Sequence, residues 1–161
     1  GDDGDDSLIV GGVGGNLLFG DSGNDALLFG QSGSDGLFGG TGNDSLIYAD
    51  SFRDSIFGGE GTDVSLFGGE SIDTIYGGDG SDSDLEGGSA RDTLFGGDGN
   101  DRGLFGGQGK DLIHGEAGAD ELYGGNNPDK LFGGSGSDTL FGGSLDDLLY
   151  GGDGVDSMSG G

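Results

Sequence analysis

Nine aspartates recur at a nearly constant interval. Asp6, Asp25, Asp44, Asp63, Asp82, Asp101 and Asp120 are 19 residues apart, and Asp138 and Asp156 follow at 18. A glycine stands two residues before each: Gly4, Gly23, Gly42, Gly61, Gly80, Gly99, Gly118, Gly136 and Gly154. This pairing has a chemistry. Hard divalent cations such as calcium take six to eight oxygens from carboxylates and backbone carbonyls. Glycine leaves carbonyls approachable and accepts the positive φ of a tight turn. One turn cannot fill such a shell, so successive turns must share an ion. Aspartate is common in turns on its own account, but nine copies with glycine at a fixed offset point to calcium.

A second series lies between the first: Asn16, Asp35, Asp54, Asp73, Asp92, Asp111, Asp129 and Asp147. Its position two residues earlier runs Gly14, Gly33, Phe52, Ser71, Ala90, Gly109, Asn127 and Leu145. The two series are called row A and row B. Arg53, Arg91 and Lys110 each immediately precede a row-B aspartate. The expectation is that row B has largely given up calcium and that these cations offset its carboxylates. The metal-ligating residues are therefore expected to be the row-A aspartates, with glycines Gly23, Gly42, Gly61, Gly80, Gly99, Gly118, Gly136 and Gly154, and several calcium ions stacked along that one row.

The elements that must hold these turns follow from the spacing. Cutting before each glycine pair gives units that alternate ten and nine residues, from Gly1–Val10 and Gly11–Phe19 to Gly96–Phe105 and Gly106–His114. From Gly115 every unit has nine, as in Gly115–Tyr123. Two units make one coil of 19 residues, shortening to 18 after about residue 114. Each unit is a turn followed by a strand too short to stand alone, so coils must stack as in-register parallel strands. About nine coils at ~4.8 Å make a rod of roughly 40 Å.

One residue per unit is reliably aliphatic: the eighth of nine-residue units (Leu18, Leu37, Ile56, Ile75, Leu94, Ile113, Leu131, Leu149) and the ninth of ten-residue units (Ile9, Leu28, Ile47, Leu66, Leu85, Leu104). These form the expected core. The extra residue of the longer units (Leu8, Leu27, Leu46, Ser65, Asp84, Gly103) varies freely and reads as an outward bulge. Such a core is one thin double column, so the metal-free chain is expected to be marginal or unfolded. The unit's last residue is Phe or Tyr in thirteen units, interrupted by Val10, Glu86, His114 and Ser159. Strand alternation places this column on the outer face. Two roles fit it: stacking that stiffens the sheet, or an adhesive stripe, since long exposed apolar surfaces mark association.

Gly96–Asp101 (GGDGND), Gly39–Asp44 (GGTGND), Gly58–Asp63 (GGEGTD), Gly77–Asp82 (GGDGSD), Gly133–Asp138 (GGSGSD) and Gly151–Asp156 (GGDGVD) carry the glycine, glycine, any, glycine, any, aspartate signature of a calcium-binding nonapeptide. The chain resembles the RTX (repeats-in-toxin) calcium-binding β-roll over nearly its whole length. The resemblance implies an all-β fold: a right-handed parallel β-roll or β-solenoid with two short parallel sheets, and ions held between successive turns by glycine-rich carbonyls and the aspartate. It also implies export in an unfolded form and folding in external calcium, hence a secreted, extracellular or cell-surface protein. Residues 1–161 read as one such β-roll, a piece of a longer repeat protein.

Composition narrows the classes further. The chain has 45 glycines, 31 acidic and 5 basic residues, a formal charge of −26 and no cysteine. Such a charge repels nucleic acid and anionic membranes, and no stretch is long and apolar enough to insert into a bilayer. About eight ions along row A would lower the charge to about −10. The repeat accounts for the acids, and His114, the lone histidine, stands in an aromatic slot, so no catalytic set is indicated. Neither residue flanking the row-A fourth glycine forms a threonine rank, which disfavours ice binding. The reading is a non-enzymatic, calcium-folded structural or adhesive rod, a surface-layer or filament building block with homo-assembly through the aromatic columns. The alternative is an accessory module of a secreted enzyme, toxin or polysaccharide-binding protein.

Overall fold

Alternation of one aliphatic residue with small or polar neighbours produces seventeen short strands and no helix in the computed structural model, which describes residues 1–161. One sheet holds, in spatial order, β1 (Ile9–Val13), β3 (Ala26–Ser32), β5 (Ser45–Asp50), β7 (Val64–Glu70), β9 (Ser83–Ser89), β11 (Arg102–Gln108), β13 (Glu121–Asn126), β15 (Thr139–Ser144) and β17 (Ser157–Ser159). The other holds β2 (Leu17–Ser22), β4 (Gly36–Thr41), β6 (Ser55–Glu60), β8 (Thr74–Asp79), β10 (Thr93–Asp98), β12 (Leu112–Ala117), β14 (Lys130–Gly136) and β16 (Leu148–Gly154). Every pairing is parallel and joins strands one coil apart. The molecule is a parallel β-solenoid whose nine- and eight-stranded sheets agree with the expected coil number.

Between the sheets lies the predicted double column. Leu28, Leu37, Ile47, Ile56, Leu66 and their successors through Leu140 are fully buried, with Ile9 and Leu149 partly buried at the ends. Ala49 joins this core, an addition the aliphatic spacing did not indicate.

The bulge falls where expected. Leu27, Leu46, Ser65, Asp84 and Gly103 all have φ between 54° and 68°, one above another along the nine-stranded sheet. Pairing skips them: Ala26 faces Ser45 and Leu28 faces Ile47. The shortening of the coil is equally local. Arg102 pairs with Glu121 and Leu104 with Leu122, so Gly103 has no counterpart in the next coil. A bulge that faces outward can be dropped without moving the inward column, which explains the change from 19 to 18 residues.

Candidate metal sites in two rows of turns

Each aspartate is fixed by the coil that follows it. In row A the Asp25 amide donates to Asp44 Oδ1 (2.8 Å), the Asp44 amide to Asp63 Oδ1 (2.7 Å), and the Asp101 amide to Asp120 Oδ1 (2.9 Å). The ladder continues from Asp6 to Asp156. Each aspartate carbonyl also accepts a strand amide one coil on, as in Arg102 N–H to Asp82 O (2.9 Å). Backbone and one carboxylate oxygen are thereby satisfied. The other oxygen is not. Oδ2 of Asp25, Asp44, Asp63, Asp82, Asp101, Asp120 and Asp138 is buried without a hydrogen-bond partner. An orphaned, ionisable oxygen in the interior is costly, and a bound cation removes that cost.

The first residue of the unit, glycine in all but the one that opens with Ala49, makes room for this oxygen. A methyl group on Gly96 would stand 2.3 Å from Asp101 Oδ2, and one on Gly39 2.3 Å from Asp44 Oδ2. The fourth glycine serves the stack. With φ of 135° at Gly80 and 149° at Gly99, each lies so close to the coil before it that a methyl would approach the carbonyl oxygen of Gly61 or Gly80 within 1.5 or 1.6 Å. Each fourth-position amide from Gly4 to Gly118 donates to a carbonyl of the next coil, seven in unbroken series at 2.5–2.8 Å. No three acidic or histidine side chains gather at one point suited to a metal ion, so carbonyl oxygens must complete any shell. Row A presents the mixed carboxylate and carbonyl set that calcium takes.

Row B is built on the same aspartate ladder. The Asp54 amide donates to Asp73 Oδ1 and the Asp92 amide to Asp111 Oδ1, both at 2.8 Å. Oδ2 of Asp35, Asp54, Asp73, Asp92, Asp111, Asp129 and Asp147 is buried and unpartnered. The expected compensation by cations is slight: Arg53 draws the Asp73 carboxyl down a little, against a larger rise from burial, and no ion pair forms. The only ion pair in the molecule joins the Gly1 amine to Asp21 at 3.9 Å, and Arg53, Arg91 and Lys110 make none. The reason is directional: these side chains are exposed on the outside of the turn while the carboxylates point into it. Row B thus leaves seven carboxylate oxygens unpartnered, as many as row A.

What distinguishes row B is its fourth position. Ala90, Asn127 and Leu145 keep a left-handed φ of 92°, 78° and 82°, while Phe52 and Ser71 do not adopt positive φ. The turn ladder survives only at Gly14, Ala90 and Gly109.

Burial raises the carboxyl pKa values in both rows, opposed by the amide hydrogen bonds. Asp63 and Asp101 of row A and Asp73, Asp92 and Asp129 of row B reach about 7, while Asp54, Asp82 and Asp120 reach about 6. Without a metal these carboxyls take up protons well above the usual carboxylate range, which is the mark of an uncompensated carboxylate. His114 behaves oppositely. Burial lowers its pKa against the attraction of Glu116, and it stacks between Phe95 (5.1 Å) and Phe132 (4.8 Å). It takes the place of a ring in the aromatic column.

Comparison with known proteins agrees with this geometry. The RTX calcium-binding nonapeptide repeat (four copies) matches residues 10–46, 46–64, 65–83, 84–102, 104–131 and 132–161. No curated protein matches the chain. No helix is long and apolar enough to cross a membrane. The repeats cover almost all of a parallel solenoid whose turns end in buried, unpartnered aspartate oxygens, and the chain belongs to the RTX calcium-binding repeat family.

Proposed function

We propose that the protein is a secreted, calcium-folded structural rod that acts by association, as an adhesive, surface-layer or filament building block, and not by catalysis. Calcium would be held between successive turns by the aspartate Oδ2 atoms and the carbonyls of the glycine-rich stretch. Its charge would compensate the buried carboxylates and tie coil to coil, taking the place of a thicker core. In row A the ligands are Asp6 through Asp156 with the fourth glycines Gly23 to Gly154. Row B offers the same carboxylates on a less regular backbone.

The observation that carries the associative role is the outer face of the eight-stranded sheet. Phe19, Phe38, Phe57, Tyr76, Phe95, His114, Phe132 and Tyr150 form one uninterrupted column, with ring centroids 4.8–5.1 Å apart. Stacking leaves the rings inside the column half-buried, and only the end rings are more open, Phe19 at 44% and Tyr150 at 52%. A continuous apolar stripe of this kind marks an association surface. Electron microscopy and light scattering of the chain with and without calcium test the reading. Particles or fibres forming only with calcium are expected. A calcium-loaded chain that stays monomeric at millimolar concentration would overturn it.

A further inference from the structure

The rims of the two outer faces differ in charge. The eight-stranded sheet is flanked by the fifth residue of row-B units and the third residue of row-A units. On the first rim stand Arg53, Arg91 and Lys110, and on the second Glu60, Asp79 and Asp98. All six are exposed. Arg53 opens onto a groove of about 570 Å³ shared with Phe38 and Phe57, and Arg91 onto one of about 780 Å³ shared with His114 and Phe132. The cationic rim and the ring column thus belong to one surface. Glu60, Asp79 and Asp98 lie side by side, in register, at the ends of β6, β8 and β10. The nine-stranded sheet has no such polarity, and its column is broken where Glu86 stands between Phe67 and Phe105.

None of these charges is paired within the molecule. Along one strand the two rims are roughly 23 Å apart at ~3.3 Å per residue, too far to meet. A second copy brings them together. Rotating one rod by half a turn about its long axis sets face against face, reverses the strand direction, and lays row A of one copy over row B of the other. The ring column lies near the middle of the face and meets its own image. Two strands are preceded by arginine and end with acid: Arg53 lies two residues before β6, which ends at Glu60, and Arg91 two residues before β10, which ends at Asp98. Each such strand opposite its own copy makes two reciprocal ion pairs. At β16 both rims are acidic, with Asp146 and Asp153, and the contact stops short of it. The face covers on the order of 750 Å² per copy, the size of a stable interface.

We propose that the eight-stranded faces of two copies pair in this way, rods pointing in the same direction, with Arg53 and Arg91 of each copy against Glu60 and Asp98 of the other and the ring columns packed between. The contact is isologous, so one patch serves both partners. This inference rests on the associative reading above and specifies its surface.

The test is sedimentation velocity on the calcium-loaded chain with two charge-reversed variants, Arg53→Glu/Arg91→Glu and Glu60→Arg/Asp98→Arg. Each variant alone is expected to dimerise at least tenfold more weakly than the parent, and an equimolar mixture is expected to recover parental association, because opposite rims then face each other. Circular dichroism in calcium verifies that each variant folds. If the second does not, Glu60→Gln/Asp98→Asn takes its place in the mixture. A parent that associates while both variants associate equally well would overturn the proposed face and leave the associative reading standing. A parent that never associates would overturn both.

Discussion

Rows A and B carry the same aspartates in the same places and differ in the backbone that surrounds them. In row A the fourth residue is glycine nine times in nine, and its turn amides form seven consecutive inter-coil hydrogen bonds. In row B that residue is variously Gly, Phe, Ser, Ala, Asn and Leu, and three such bonds remain. The aspartate ladder does not respond to the change, because it uses only strand register and the aspartate's own amide. The two parts of a calcium turn are therefore separable. The strand delivers the carboxylate, and the fourth residue decides whether carbonyls can stack closely behind it. Row A should hold calcium tightly and row B weakly, a difference of degree that the cations beside row B do not create.

The largest effect expected is from removing calcium altogether. Fourteen buried Oδ2 atoms lack partners, and the aliphatic core is a single double column. Chelation at pH 8 should abolish the β-sheet circular dichroism signal. Acid should partly restore it. The folded-state pKa of Asp63, Asp73, Asp92, Asp101 and Asp129 is raised to about 7 from 3.8. A raised pKa means that the folded state binds protons more tightly than the unfolded one. The stability it contributes is complete below about pH 4 and disappears as pH rises through about 6 to 7. The chelated chain should therefore show more β-structure at pH 4.5 than at pH 8, and the reverse order would refute the buried-carboxylate account.

The rows can next be set against each other directly. Asp101→Ala removes a carboxylate from the regular row, and Asp92→Ala removes one from the irregular row. Calorimetric calcium titration should resolve a tight and a weak class of ions. The first variant should diminish the tight class and lower stability more. The second should act on the weak class. Affinity should differ between the classes by at least tenfold, or about 1.4 kcal/mol. Equal losses would mean that the turn backbone is irrelevant to affinity. Backbone changes at a close-stacked fourth glycine should be severe in either row, since a methyl on Gly109 of row B would stand 1.4 Å from the Ala90 carbonyl oxygen. The methyl of Gly80→Ala would have to occupy the position 1.5 Å from the Gly61 carbonyl oxygen, destabilising the calcium-loaded fold by about 3 kcal/mol or more, read as a lower midpoint of thermal unfolding.

Much of this was legible in the residue order, for identifiable reasons. Coil length, the inward column and the two turn rows are periodic, and a period survives local substitution. The bulge was readable because Ser65, Asp84 and Gly103 break the aliphatic habit of Leu8, Leu27 and Leu46 at one fixed place. Three features were not readable. The first glycine's duty toward Oδ2 depends on a carboxylate five residues on folding back over it, and glycine is so frequent here that no single one stands out. Ala49 replaces a first glycine yet is buried in the core, because its unit adopts the same path with a methyl in place. The equivalence of the row-B aspartates was hidden by the charges next to them. Sequence neighbours such as Arg53 and Asp54 point to opposite sides of the turn wall, so adjacency in the chain suggested a pairing that direction forbids.

The smallest effect expected also bears on the difference between the rows. Ala90 holds a fourth position of row B with φ at 92°, a region that costs a residue with a side chain about 1 kcal/mol or more. Its amide still donates to Gln108 O at 2.7 Å, so the turn is row-A-like and only the methyl is out of place. Ala90→Gly should relieve that strain while keeping the hydrogen bond. The gain is reduced by the greater freedom of glycine in the unfolded chain, leaving a net stabilisation of about 0.5 kcal/mol. If the fourth residue governs carbonyl stacking, the same substitution should also tighten the weak class of calcium ions. Phe52→Gly, made where positive φ is absent, should not, since that turn follows another path. A thermal shift assay at fixed calcium and a matched calcium titration distinguish the two variants. Should both variants behave alike, turn geometry would not be what separates row A from row B.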